Sequence, residues 1–125
     1  MNIPNNLKYT KEHEWVRIDG EIITVGITDH AQSELGDIIF IEFPELNQSV
    51  SKDEPFGTIE AVKTVADLFA PVTGKVLEIN QALENSPDLV NSDTYGEGWI
   101  VKITNIDNSQ FDNLLDSEKY KDLIN

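Results

Sequence analysis

Cysteine is missing from this chain of 125 residues. Its absence excludes structural disulfides, thiolate metal sites and a cysteine nucleophile, so any thiol chemistry must come from an attached group. Basic residues are scarce: nine Lys and Arg stand against 23 Asp and Glu, a formal net charge of -14 at pH 7. Such a surface repels phosphate backbones and anionic lipid, which disfavours nucleic-acid and membrane roles, and it suits docking onto basic patches of partner proteins. No apolar run reaches the length of a membrane span. The segment Met1 to Leu7 has neither the basic and apolar regions of a signal peptide nor the Arg-rich character of a transit peptide, so a cytoplasmic protein is expected.

What is present is ordinary globular composition, 39% hydrophobic and 26% charged, in a length that fits one domain over residues 1–125. The strand signals are short and separated by turn residues. Trp15 to Ile18 and Glu21 to Val25 read as a hairpin closed by Asp19-Gly20. Further strands are expected at Ile38 to Phe43, Phe56 to Val62, Thr64 to Phe69, Lys75 to Ile79 and Trp99 to Thr104. Helices are few. Asp29 to Leu35 opens with a capping-box pattern, Asp29 and Gln32, and stops at Gly36. Near the C-terminus, Phe111, Leu114 and Leu115 and then Tyr120, Leu123 and Ile124 repeat the i, i+3, i+4 spacing, with Ser109 and Ser117 as N-caps. The expected class is therefore mostly β, with a short internal helix and C-terminal helices.

An ordered set of matches runs along the chain. Gly36 to Ile41 resembles Gly74 to Ile79, Val50-x-x-Asp53 is answered by Val90-x-x-Asp93, and Gly57-Thr58-Ile59 by Gly98-Trp99-Ile100. The order favours two similar β units packed about a pseudo-twofold axis. Between them lies Gly57 to Phe69, two strands meeting near Val62 to Thr64 without Gly, Asn or Pro at the bend. That tip presents Lys63 among the small or β-branched Ala61, Val62, Thr64 and Val65. An ε-amine acylated by a carrier group loses its charge and becomes a long tether, and a protruding turn lets the modifying enzyme reach it.

Other patterns are weaker. Glu12-His13-Glu14 lacks a second histidine at ligand spacing, and His30 falls in another element, so no metal site is expected. Tyr95-Gly96-Glu97-Gly98 lacks the setting of a nucleotide loop, and no serine sits in a nucleophile elbow. Trp15, Phe40, Phe43, Phe69 and Trp99 read as core.

The stretches Leu7-Lys8-Tyr9, His13 to Val16, Val25 to Gln32, Leu35 to Ile38, Gly57 to Lys63, Ala70 to Gly74 and Asn91 through Tyr95 to Trp99 together resemble the glycine cleavage system H protein. The likeness covers nearly the whole chain. It implies a barrel-sandwich hybrid fold of the lipoyl and biotinyl carrier type, lipoate held in amide linkage on Lys63, and no catalysis by the chain itself. The implied partners are a pyridoxal-phosphate glycine decarboxylase, a tetrahydrofolate-dependent aminomethyltransferase, dihydrolipoamide dehydrogenase and lipoate-attaching enzymes. A further role implied by the family is donation of a lipoyl or octanoyl group to other enzymes. By position, Glu14, Asp67 and Glu12 are the acids expected to shelter the aminomethyl-loaded arm, because a desolvated ammonium needs a carboxylate. Ala61 replaces the Ser often found two residues before the family's lysine. Val62 and Thr64 stand where biotin carriers have Met, and Val62 where lipoyl domains of 2-oxoacid dehydrogenases have Asp, which argues against both.

Overall fold

The computed structural model describes every residue from Met1 to Asn125. It contains β1 (Lys8–Tyr9), β2 (Glu14–Asp19), β3 (Ile22–Ile27), α1 (Asp29–Leu35), β4 (Ile38–Glu42), β5 (Ser49–Val50), β6 (Pro55–Ala61), β7 (Val65–Phe69), β8 (Gly74–Ile79), α2 (Ala82–Asn85), α3 (Leu89–Ser92), β9 (Val101–Thr104), a 3-10 helix (Asn108–Asn113) and α4 (Ser117–Ile124). The strands form two sheets, ordered β1-β2-β3-β9-β8-β5 and β4-β6-β7, with every neighbouring pair antiparallel. Alternate residues of each sheet point into one core. Val16, Ile23, Val25, Val101 and Ile103 of the larger sheet meet Ile38, Ile41, Ile59 and Leu68 of the smaller. The mostly β expectation holds.

The details differ where local chemistry competes with pattern. In the β2–β3 hairpin Asp19 pairs with Ile22, so the two-residue loop is Gly20-Glu21 rather than Asp19-Gly20. Gly20 has φ +65° and Glu21 no positive φ, the arrangement of a type II′ turn. α1 spans the expected residues, but its N-cap is Thr28, whose hydroxyl accepts from the Ala31 N–H at 3.2 Å. Asp29 instead accepts from the Gln32 side chain and from the Asn2 N–H. At the C-terminus the caps are Asp107 and Asp116, not Ser109 and Ser117. A carboxylate there accepts the orphan N–H and also favours the positive helix end. The Phe111 spacing produces only a 3-10 turn, because Leu114 turns extended and Leu115 bridges to Tyr9.

The suggested internal duplication is matched in part. Its first motif builds β4 and β8, which pair with β6 and β9, the strands that carry or follow the third motif. The middle match fails locally, since Val50 lies in a strand and Val90 in α3, although both are buried. Trp99 precedes its strand, which starts at Val101. Phe40, expected in the core, is exposed to 53%, while Trp15 is fully buried in a second cluster with Leu7, Tyr9 and Tyr120. Trp15 lies flat against Gly26: a Cβ there would sit 2.6 Å from the indole. No helix is long and apolar enough to cross a membrane.

Candidate functional site

Lys63 sits exposed at the tip joining β6 to β7. The Ala61 N–H donates to the Thr64 carbonyl at 2.8 Å, closing the bend, and Val62, Lys63 and Thr64 all keep negative φ. A tip built this way needs no left-handed residue, which is why Gly and Asn are absent from it. The tip is also tied sideways. The Val62 N–H donates to the Asp37 carbonyl at 3.0 Å, anchoring the bend to the segment between α1 and β4.

That segment has its own clamp. The Asn91 amide donates to the Gly36 carbonyl at 2.8 Å and to Gln32 Oε1 at 3.0 Å, while its Oδ1 accepts from the Ile38 N–H at 3.0 Å. Gly36 ends α1 with φ +81°, and its bare Cα faces the lysine stem: a Cβ there would lie 3.4 Å from Lys63 Cε. The lysine is thus exposed at its end, with the bend that carries it fixed at its base.

Beside it opens a cleft of about 370 Å³ between α1 and the β6–β7 hairpin. Ile27, Ala31, Leu35, Ile59, Ala66 and Leu68 give it an apolar wall, and Glu12, His13, Glu14, His30, Glu34 and Asp67 its polar groups. The structure therefore brings Glu12, Glu14 and Asp67 to one cleft. They are not alike: Glu12 and Asp67 are exposed, whereas Glu14 is only 2% exposed.

Glu14 is aimed inward by the turn before it. His13 takes φ +69°, its N–H donates to the Thr10 carbonyl, and the Thr10 N–H donates to the Glu14 carbonyl, which starts β2 with its first side chain facing in. The Thr10 hydroxyl donates to Glu14 Oε1 at 2.5 Å and the Phe69 N–H to Oε2 at 3.3 Å. No cation pairs with it, since the three ion pairs are Lys52–Asp53, Lys102–Glu78 and Lys121–Glu118. Burial pushes its carboxyl up to about 7, against the lowering effect of those two hydrogen bonds and with smaller repulsion from Glu12 and Asp53. A buried carboxyl raised toward neutrality, without a cationic partner, is suited to receiving a cation.

Sequence reasoning missed the far end of this cleft. His13 Nδ1 lies 2.8 Å from the Tyr120 hydroxyl, which lies 2.7 Å from Thr28 Oγ1, the cap of α1. Tyr120 also stacks on Tyr9 with ring centroids 4.7 Å apart. The C-terminal helix therefore holds both α1 and the Glu14 turn in place. Burial lowers the His13 imidazole below its ordinary value, and His30, 4.8 Å away ring to ring, adds to this, while Glu12 and Glu34 oppose it. The Tyr120, Leu123 and Ile124 spacing signalled the helix, but its tie to residues 13 and 28 spans too much sequence to read. No group of three His, Asp or Glu side chains is placed to hold a metal ion.

The family model for glycine cleavage H-protein matches residues 7–125 of this chain. The chain belongs to the glycine cleavage H-protein family. Two similar relatives, the glycine cleavage system H proteins of Bacteroides thetaiotaomicron and Bacteroides fragilis, are each 54% identical over 125 residues, covering 100% of this chain and 99% of theirs. The crystal structure of a glycine cleavage system H protein from Mycobacterium marinum superimposes with a TM-score of 0.85 at 36% identity, covering 94% of this chain and 95% of that one. The family is the lipoyl-bearing carrier of the glycine cleavage system, a non-catalytic component that works with the enzymes of that system.

Proposed function

We propose that Lys63 carries the lipoyl group in amide linkage and that the α1–hairpin cleft shelters the arm when it is loaded. The observation that carries this is the position of Lys63: an exposed amine on a tip tied down at Ala61 and Val62, with its stem over Gly36 at the end of the helix that walls the cleft. When bound, the lipoyl group would supply a sulfur pair that takes up the aminomethyl unit of glycine in its disulfide form and yields two electrons from its dithiol form.

The chain's own residues do the rest. Gly36 leaves room at the base of the arm. The apolar wall of Ile27, Leu35, Ile59 and Leu68 excludes water, and Glu14 offers a carboxylate to an ammonium brought into the cleft. Because Glu14 sits near pH 7 when alone, the arriving cation drives its proton off and leaves the pair charged. Asp67 and Glu12 border the same cleft from exposed positions, where their electrostatic contribution is screened by solvent.

In this reading the partners are the pyridoxal-phosphate glycine decarboxylase that loads the arm, the tetrahydrofolate-dependent aminomethyltransferase that unloads it, dihydrolipoamide dehydrogenase, and the enzymes that attach lipoate. Residues 1–125 act as one carrier domain in the cytoplasm. Intact mass spectrometry of protein made with lipoate supplied should show one lipoyl adduct, and Lys63→Arg should show none. An adduct that forms equally well on Lys63→Arg overturns the assignment.

A further inference from the structure

We propose that the outer face of the β4-β6-β7 sheet is the docking surface for the enzyme that acylates Lys63, a partner with a basic rim around an apolar contact patch. The inference rests on the Lys63 reading and adds to it the surface by which the lysine is found.

Cross-strand register separates the two faces of this sheet. Ile41, Ile59 and Ala66 lie in one row, pointing to the core and the cleft. Phe40, Glu60 and Val65 form the neighbouring row on the opposite face, followed by Glu42, Thr58 and Asp67. An outward row on a solvated sheet is normally polar. Here Phe40 is 53% and Val65 58% exposed, and Val62, beside the lysine, is 72% exposed. A bulge between Ile38 and Phe40 breaks the ladder so that Ile39, also 53% exposed, turns to solvent with its neighbour. Four of the large apolar side chains exposed on this protein thus gather at the Lys63 end of one sheet.

Charge identifies the occupant. β4, β6 and β7 contain no basic residue, and Glu42, Glu60 and Asp67 take part in none of the three ion pairs. Lys63 is therefore the one cation at the end of an acidic, apolar-centred face. A basic-rimmed enzyme is drawn to that face, and its acyl site is brought to the one amine there. Of the residues of this face only Asp67 also borders the cleft, so docking through Phe40, Val62 and Val65 does not require the cleft to be empty.

The test uses purified chain with a lipoate–protein ligase, ATP and octanoate, followed by intact mass. In that reaction the Lys63 amine attacks the octanoyl-adenylate carbonyl; the amide bond forms, the acyl–phosphate bond breaks, and AMP and a proton leave. Phe40→Ser with Val65→Thr should raise KM for the chain about tenfold with kcat little changed, as loss of a central apolar anchor does. Glu42→Gln with Glu60→Gln should flatten the rise of KM with added salt while leaving the unfolding midpoint unchanged, which keeps the proposal testable if the first pair misfolds. Unchanged KM in both pairs overturns the docking face while the Lys63 reading stands. If wild-type chain accepts no octanoyl group, the Lys63 reading falls and this inference with it. A wild-type dimer that Phe40→Ser dissolves without altering KM assigns the face to a second copy instead and also overturns the proposal.

Discussion

Replacing Glu14 with Gln should make the protein more stable at pH 8 and leave it nearly unchanged at pH 4. The carboxyl is buried, and burial raises it from an ordinary 4.5 to about 7. An acid raised on folding binds its proton more tightly in the native state. Its favourable contribution is complete below the unfolded value of 4.5 and is lost as pH climbs through about 7. The rise corresponds to about 3 kcal/mol between those limits. Gln has the shape to keep the bond from the Phe69 N–H on its Oε1, while its Nε2 donates to Thr10 Oγ1 in place of the bond that hydroxyl gives to the carboxylate. The formal charge of -14 adds a general loss of stability with rising pH, but it acts on both proteins and cancels in their difference. Urea unfolding at constant ionic strength from pH 4 to pH 8 should show Glu14→Gln gaining up to about 3 kcal/mol over wild type, most of it between pH 5 and 7. A flat difference across that range would refute the claim that the cleft holds a desolvated carboxyl awaiting a cation. The gain has a functional cost in the same residue, since Gln cannot neutralise an ammonium.

Two further expectations concern positioning and packing. Asn91→Ala removes three hydrogen bonds to Gln32, Gly36 and Ile38 and should lower stability by about 2 kcal/mol, because the Gly36 carbonyl and Ile38 N–H lose their partner. It should also slow octanoylation of Lys63 at saturating chain concentration, since Asp37 between those two groups holds the tip through the Val62 N–H. Unaltered kcat would show that the tip keeps its place without the clamp. Gly26→Ala puts a methyl 2.6 Å from the Trp15 indole and should destabilise by about 1–3 kcal/mol, read as a lower thermal midpoint. An unchanged midpoint would mean that the second cluster repacks freely.

What could be read before folding follows the range of the interactions involved. Short β-rich runs between turn residues announced β2, β3, β4, β6, β7, β8 and β9, because such a run is a property of its own stretch of chain. β1 and β5, two residues each, exist only because β2 and β8 offer an edge to pair with, and two residues hold no period. Phe40 was misread as core for a related reason. Hydrophobicity says that a side chain prefers burial, but which face it meets depends on the register at the Ile38/Phe40 bulge. The bend at Lys63 stood out because it dispenses with the usual turn residues, a local oddity that local geometry explains, whereas a role for the lysine came from the family resemblance. The three acids were picked out by the family resemblance, and no local pattern marks them as neighbours. Glu12, Glu14 and Asp67 carry the same functional group, and the αL turn at His13 sends only Glu14 inward, where it becomes a buried carboxyl. A carboxylate's role here is set by how much water it loses, and that quantity belongs to the fold. It follows that exchanging Glu12 or Asp67 should disturb the cleft far less than exchanging Glu14, although the three look equivalent on paper.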